Sequence, residues 1–334
     1  MKRILATFLA MFAIILLAAC SNTSKESIVK KLSSELEDMT SYKMEAKMTM
    51  HTGKEARTYD VEVLYKKEDN DHFKVTLMNE EEKTGQIILK NNEGVFVLTP
   101  DIKKTFKFQS EWPENSSQPY LYQSVIRDIM EDKEATFTEM DDYYLFEAKT
   151  NYEHQSNLPS EEIYINKKTL LPQAVHVLDE EKNTLIEVIF SNAETDVAFD
   201  EETFHKDKVL ESLHASVDVE VDSNVLEVQY PLETFGATLV EEKEIQTENG
   251  KRIIMTFEGE DSFTLIQENE AVKDETYTEE VYGEMVEMKD SVAAISNGTI
   301  EWTKNGIKYY VASETMSTEQ LTEVANSLEG KGIK

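Results

Sequence analysis

The chain has 334 residues, of which 66 are Asp or Glu and 34 are Lys or Arg, giving a formal net charge of −32. Such a surface repels phosphates, which argues against a nucleic-acid partner. The single cysteine allows no internal disulfide, but one or two domains of ordinary size can bury enough apolar surface without one.

Lys2 and Arg3 precede Ile4 to Ala19, 16 residues in which only Thr7 is polar. That is too short for comfortable bilayer spanning, and residues 1–19 read as a signal peptide. The stretch closes on Leu17-Ala18-Ala19-Cys20, which resembles the bacterial lipobox. The resemblance implies a diacylglyceryl group on Cys20, cleavage before it, and palmitate-type acyl chains holding the body at the extracytoplasmic face of the cell membrane. Residues 20–27 are then the lipidated cysteine and a polar tether. Anionic headgroups repel so acidic a body, so the acyl anchor rather than a basic patch supplies the attachment. No later segment reads as a second transmembrane candidate.

Ile28, Val29, Leu32, Leu36 and Met39 recur at helical spacing, which predicts an amphipathic helix over Lys25 to Met39. Strands follow. In Tyr42 to Met50 the apolar residues fall on even positions, and after a Thr52-Gly53 turn Tyr59, Val61, Val63 and Tyr65 repeat the two-residue period. Phe73, Val75 and Leu77 continue it. Further strand-like runs are Gln86 to Lys90, Val95 to Thr99, Thr105 to Phe108, Tyr143 to Thr150, Glu162 to Ile165, Gln173 to Leu178 and Thr184 to Phe190. Pro119 to Met130 interrupts them as a helix, near which Phe106, Phe108, Trp112, Tyr120 and Tyr122 could form a lid or simply packing. The pattern predicts an antiparallel meander with one buried face and two helices to cover it. This first domain is assigned to residues 28–208.

A charged connection near Lys206 to Glu211 leads to a second region, residues 212–334, read as a smaller α+β domain. Arg252 to Phe257 and Phe263 to Gln267 predict a hairpin, as do Gly298 to Trp302 and Lys308 to Ala312 across Asn305-Gly306. Ser317 and Gln320 form a capping box for a last helix carrying Leu321, Val324, Ala325 and Leu328, with Gly330 as its stop.

Motifs that carry chemistry are missing. There is no glycine-rich phosphate loop and no nucleophile elbow, and His51, His72, His154, His176, His205 and His214 are too scattered for metal-ligand spacing. Ser27-Ile28-Val29-Lys30 and Lys83-Thr84-Gly85 match penicillin-binding motifs only by accident of length, since no Ser-Asp-Asn element stands between them. The paired acids, among them Glu161-Glu162, Glu201-Glu202 and Glu241-Glu242, read mostly as solvated turns. No catalytic residue, metal site or cofactor is assigned, and the chain reads as a non-enzyme.

The run Ile163 to Val175, through Asn166, Thr169, Leu171 and Pro172, continues into Thr184 to Phe190 and closes on Phe199-Asp200-Glu201-Glu202-Thr203-Phe204. It resembles the carboxyl half of outer-membrane lipoprotein carriers, the LolA-like superfamily, which also contains RseB-like sensors. The resemblance implies a mostly β fold: a half-open antiparallel β-barrel, helices over its mouth and a cavity for acyl chains. Soluble carriers of that superfamily are not lipidated. The lipobox therefore makes an anchored receptor or sensor more natural, similar to the anchored LolA-like sporulation and germination lipoproteins of Gram-positive spore formers. The second region is similar to a small α+β domain common in those bacteria.

Met44, Met48 and Met50 share a strand face, and flexible, polarizable methionine suits a surface that accommodates apolar partners. With Tyr59, Val61 and Val63 they are the candidate ligand-binding residues. Two classes stay open: a module binding a lipid or an acylated lipoprotein, and a structural or regulatory module docking another envelope protein without a lipid cavity. An enclosed cavity would separate them.

Overall fold

The computed structural model describes residues 24–51, 56–79, 84–99, 104–108, 112, 117–152, 158–214, 226–270, 277–288, 291–304 and 306–330. The lipobox, the Thr52-Gly53 turn, Lys83, Asn305 and His154 lie outside them. Helix α1 (Lys25–Asp38) opens the described chain, with the Ser24 hydroxyl accepting from the Ser27 amide at 3.2 Å as its N-cap. Strands β1 (Ser41–Met50), β2 (Arg57–Lys66), β3 (His72–Asn79), β4 (Thr84–Asn91), β5 (Gly94–Thr99) and β6 (Lys104–Phe108) then meander to one side. Helix α2 (Tyr122–Glu131) interrupts. The chain returns through β7 (Thr136–Glu139), β8 (Tyr143–Lys149), β9 (Ser160–Asn166), β10 (Pro172–Leu178) and β11 (Thr184–Thr195).

β11 pairs antiparallel with β1, which joins the two meanders into one sheet. Met50 lies opposite Ile186 and Met48 opposite Val188, so the apolar period of both strands points to one face. That face carries a single core, from Val95, Val97 and Phe108 on one side to Ile163, Val175 and Phe146 on the other. Ile28 and Leu32 of α1 and Val125, Ile126 and Ile129 of α2 complete it. Strands so far apart in the sheet share one cluster because the sheet curls around the helices. Its ends do not pair, so the barrel is half-open as expected.

The connection at residues 206–211 is not a bare charged linker. It is helix α3 (Lys206–His214), preceded by a 3-10 turn at Glu201–Phe204. Phe204 and Val209 pack on Leu64, Ile87, Leu89, Phe96 and Leu98, the opposite face of the same sheet. Those strands are apolar on both faces locally, and this helix covers the second one.

The second region contains β12 (Gln229–Pro231), β13 (Thr238–Thr247), β14 (Gly250–Glu258), β15 (Phe263–Asn269), β16 (Tyr277–Val281), β17 (Glu284–Glu287), β18 (Val292–Ser296), β19 (Thr299–Lys304), β20 (Ile307–Ala312), α4 (Thr318–Asn326) and β21 (Leu328–Gly330). Among the described residues seven strands form a sheet in the order β13-β14-β15-β20-β19-β18-β17, while β12 and β21 pair separately. Both predicted hairpins are present. The predicted capping box also forms, the Ser317 hydroxyl accepting from the Gln320 backbone amide at 3.2 Å and the Gln320 side-chain carbonyl accepting from the Ser317 backbone amide at 2.9 Å. Helix α4 ends at Asn326, however, because Leu328 to Gly330 leave it to pair with β12, so Gly330 is not its stop.

Strand β16 departs from its own sheet and pairs in parallel with β6, Tyr277 opposite Lys104 and Val281 opposite Phe108. Val281, Met285, Val292 and Ala294 of the second region enter the first core.

Candidate functional site

The structure brings the candidate residues together on the concave face. Met44 lies opposite Val63, Met48 opposite Tyr59, and Val61 opposite Ala46, with Met50 at the end of β1. All are buried: Met44 and Val63 are 1% exposed, Val61 3%, Met48 6%, Met50 and Tyr59 7%. They share one packed cluster with Ile28 and Leu32 of α1 and Val125, Ile126 and Ile129 of α2, so an apolar ligand reaches them only by displacing part of that packing.

Polar ties among the described residues hold the helices. Lys25 donates to the carbonyls of Lys133 and Ala135 at 3.2 and 2.5 Å, and Lys67 donates to the Glu37 carbonyl at 2.7 Å. On α2, the Gln123 side-chain carbonyl accepts from the Tyr42 hydroxyl at 2.6 Å, and the Ser124 hydroxyl accepts from the Gln118 amide at 2.7 Å. Burial pushes the Tyr42 hydroxyl well above its ordinary range, so it stays a donor at any physiological pH. Phe108, Trp112, Tyr120 and Tyr122 are packing rather than an open lid. Trp112 meets Phe73 edge-on at 5.7 Å and Tyr122 meets Tyr42 at 6.3 Å.

Beneath α2 lies a pair the sequence concealed. Glu161 does not sit in a solvated turn: it is inside β9, fully buried, while Glu162 faces outward, because successive strand residues alternate sides. Glu161 meets Asp128 of α2, which is 5% exposed and also bonded to Ser117. Desolvation pushes Asp128 up to about 6 and, with the Asp128 charge beside it, holds Glu161 well above the carboxylate range. Glu161 thus holds its proton more tightly than an ordinary carboxyl and can share it with Asp128, while neither Glu161 oxygen meets a protein N–H or O–H donor. Both groups are buried, so the pair ties α2 to the sheet.

Both carboxyls bind protons more tightly folded than unfolded, where they titrate near pH 4. Their contribution is most favourable below that pH, falls as pH rises through Asp128's value of about 6, and goes on falling until Glu161 ionises as well. Glu161→Gln keeps a donor for Asp128 and removes the share of this penalty that belongs to Glu161, while Asp128 stays desolvated. Chemical denaturation should show a gain of roughly 1–3 kcal/mol at pH 7.5 and a shallower loss of stability between pH 4 and 7. An unchanged pH profile would contradict the shared proton.

Elsewhere, His176 stands between Glu162 at 3.7 Å and Glu187 at 3.6 Å on the outer face. No group of three or more His, Cys, Asp or Glu suited to a metal occurs among the described residues. A groove of about 820 Å³ on the second sheet is floored by Thr256, Thr264, Thr299 and Ala312, far in topology from the methionine face. The Ser262, Ser313 and Thr299 hydroxyls that line it donate to backbone carbonyls. No helix among the described residues is long and apolar enough to cross a membrane.

Comparison with known proteins adds two kinds of finding. The family described as "Sporulation protein YdcC-like" matches residues 1–204. A relative described as "Sporulation protein YdcC", from Bacillus subtilis (strain 168), is 39% identical over 340 residues and aligns over 100% of both chains. Among solved structures, the MucA/MucB complex of Pseudomonas aeruginosa matches 92% of this chain and 100% of that one at 12% identity, with a TM-score of 0.35. A LolA superfamily protein from Nitrosomonas europaea matches 55% and 99% at 13% identity, with a TM-score of 0.32.

Proposed function

The chain belongs to the sporulation protein YdcC-like family, and we propose that it is a non-enzymatic lipoprotein of the spore-forming cell envelope. It is anchored by a diacylglyceryl group on Cys20 at the extracytoplasmic face, and its half-barrel receives an apolar ligand, a lipid or the acylated end of another lipoprotein. The observation that carries this reading is the methionine face under α1 and α2. These helices have 14 and 10 residues, lengths that are marginal without tertiary contacts. An acyl chain lying on Met44, Met48 and Met50 replaces the apolar contacts of Ile28, Leu32 and Val125, so opening exchanges one buried surface for another.

The test is titration of a fluorescent fatty acid into protein lacking residues 1–20, with circular dichroism alongside. Wild type should bind saturably. Met48→Glu, which puts a carboxylate where the chain lies, should weaken binding at least about tenfold while the strand signal persists. A wild-type protein that binds no apolar probe favours the second reading, a structural or regulatory docking module, for which the filled concave face speaks.

A further inference from the structure

Strand β13 is a ten-residue edge strand of the second sheet, exposed along its length to Gln246, with no strand on its outer side among the described residues. Exposed edges template pairing, and proteins blunt them by keeping them short, by proline or by charge. This one is long and has no proline. It also carries three of the large apolar side chains that stand exposed in the described chain, Leu239, Val240 and Ile245, at 40%, 51% and 43%.

Its charges are ordered by face. Register places Glu242 opposite Met255 and Glu244 opposite Ile253, so both carboxylates lie on the side that the sheet's core residues use. Neither is loose. Glu242 accepts from the Tyr230 hydroxyl at 3.1 Å, and Glu244 pairs with Lys251 at 2.9 Å. A bulge between Leu239 and Glu241 ends the regular edge on one side. Two carboxylates at alternate positions resist a second strand of the same kind, whose Glu side chains would face them in most registers. They match a strand carrying Lys or Arg at alternate positions.

We propose that β13 is a strand-addition site for another envelope protein, taking an extended segment whose basic residues alternate along one face. The main-chain groups of β13 that meet no strand among the described residues supply the ladder, and Glu242 and Glu244 set the register. This goes beyond the lipid reading and uses a different surface.

The probe is a short peptide alternating valine with lysine, titrated into the protein lacking residues 1–20 and followed by fluorescence anisotropy and amide hydrogen exchange. Binding should protect the amides of β13. The double variant Glu242→Lys/Glu244→Lys, at two exposed positions, should weaken that peptide at least about tenfold and favour its valine–glutamate counterpart. Three results overturn the proposal: equal binding of a lysine peptide with a central proline, which reduces the effect to charge alone; protection that falls outside β13; or a protein that already dimerises through β13 in the absence of peptide.

Discussion

Cys20→Ser should abolish incorporation of a labelled fatty acid completely. The mutant should be found either in the soluble fraction or as a larger precursor that retains residues 1–19. Stable anchoring takes two membrane signals, and two acyl chains provide them at about 0.8 kcal/mol per buried methylene. The chain has no other cysteine to acylate, and no helix among the described residues offers a span. A basic patch cannot substitute in a body this acidic, since anionic headgroups attract lysine and arginine and repel the surplus carboxylates. Labelling cells with a fatty acid analogue and comparing membrane and soluble fractions measures the outcome directly. Label retained by the serine variant at the wild-type level would remove the lipoprotein assignment, and with it the location given to both binding surfaces.

What the sequence made legible was decided by whether a segment has one buried face. β1 and β2 alternate because the helices cover one side of the sheet, and the ladder pairs Met44 with Val63 and Met48 with Tyr59 as that alternation requires. The Ser317–Gln320 box was readable for a similar reason, since both partners of the hydrogen bonds lie within one turn. β13 was not legible: it is exposed on both faces, so Leu239 to Ile245 show no period at all. β16 is short and pairs in parallel across regions, a contact without local signature. Glu161 misled because an acidic pair reads as surface, whereas a shared proton lets one member be buried. Asp128 carried no signal either, for its partner is a strand distant in sequence.

At the contact between the two regions, Lys104→Met should loosen the docking of residues 212–334 on residues 28–208. Lys104 is 1% exposed, and its ammonium lies 2.7 Å from Glu279 and 3.2 Å from Glu270, both contributed by the second region. The Phe106 ring lies 4.6 Å from it and the Tyr277 ring 5.6 Å. Burial pulls this lysine down, but the two carboxylates outweigh it and hold it above its ordinary value, so it stays charged. Removing one partner of a buried pair typically costs about 3–5 kcal/mol, because a charge is left without compensation. Glu279 is 40% exposed and can turn to water, whereas Glu270 at 12% cannot, which places the expected loss near the lower end, about 3 kcal/mol. We propose that the two regions are separate folding units, so the loss should appear between them rather than within either. With a specific protease site inserted between residues 214 and 226, cleaved wild type should elute as one species held by Val281, Met285 and the β6–β16 ladder. Cleaved Lys104→Met should elute as two. Adding Glu270→Gln removes the stranded charge and should restore most of the association, a coupling a double-mutant cycle would measure. If Lys104→Met alone leaves the halves together and the stability unchanged, this buried pair does not hold the two units to each other.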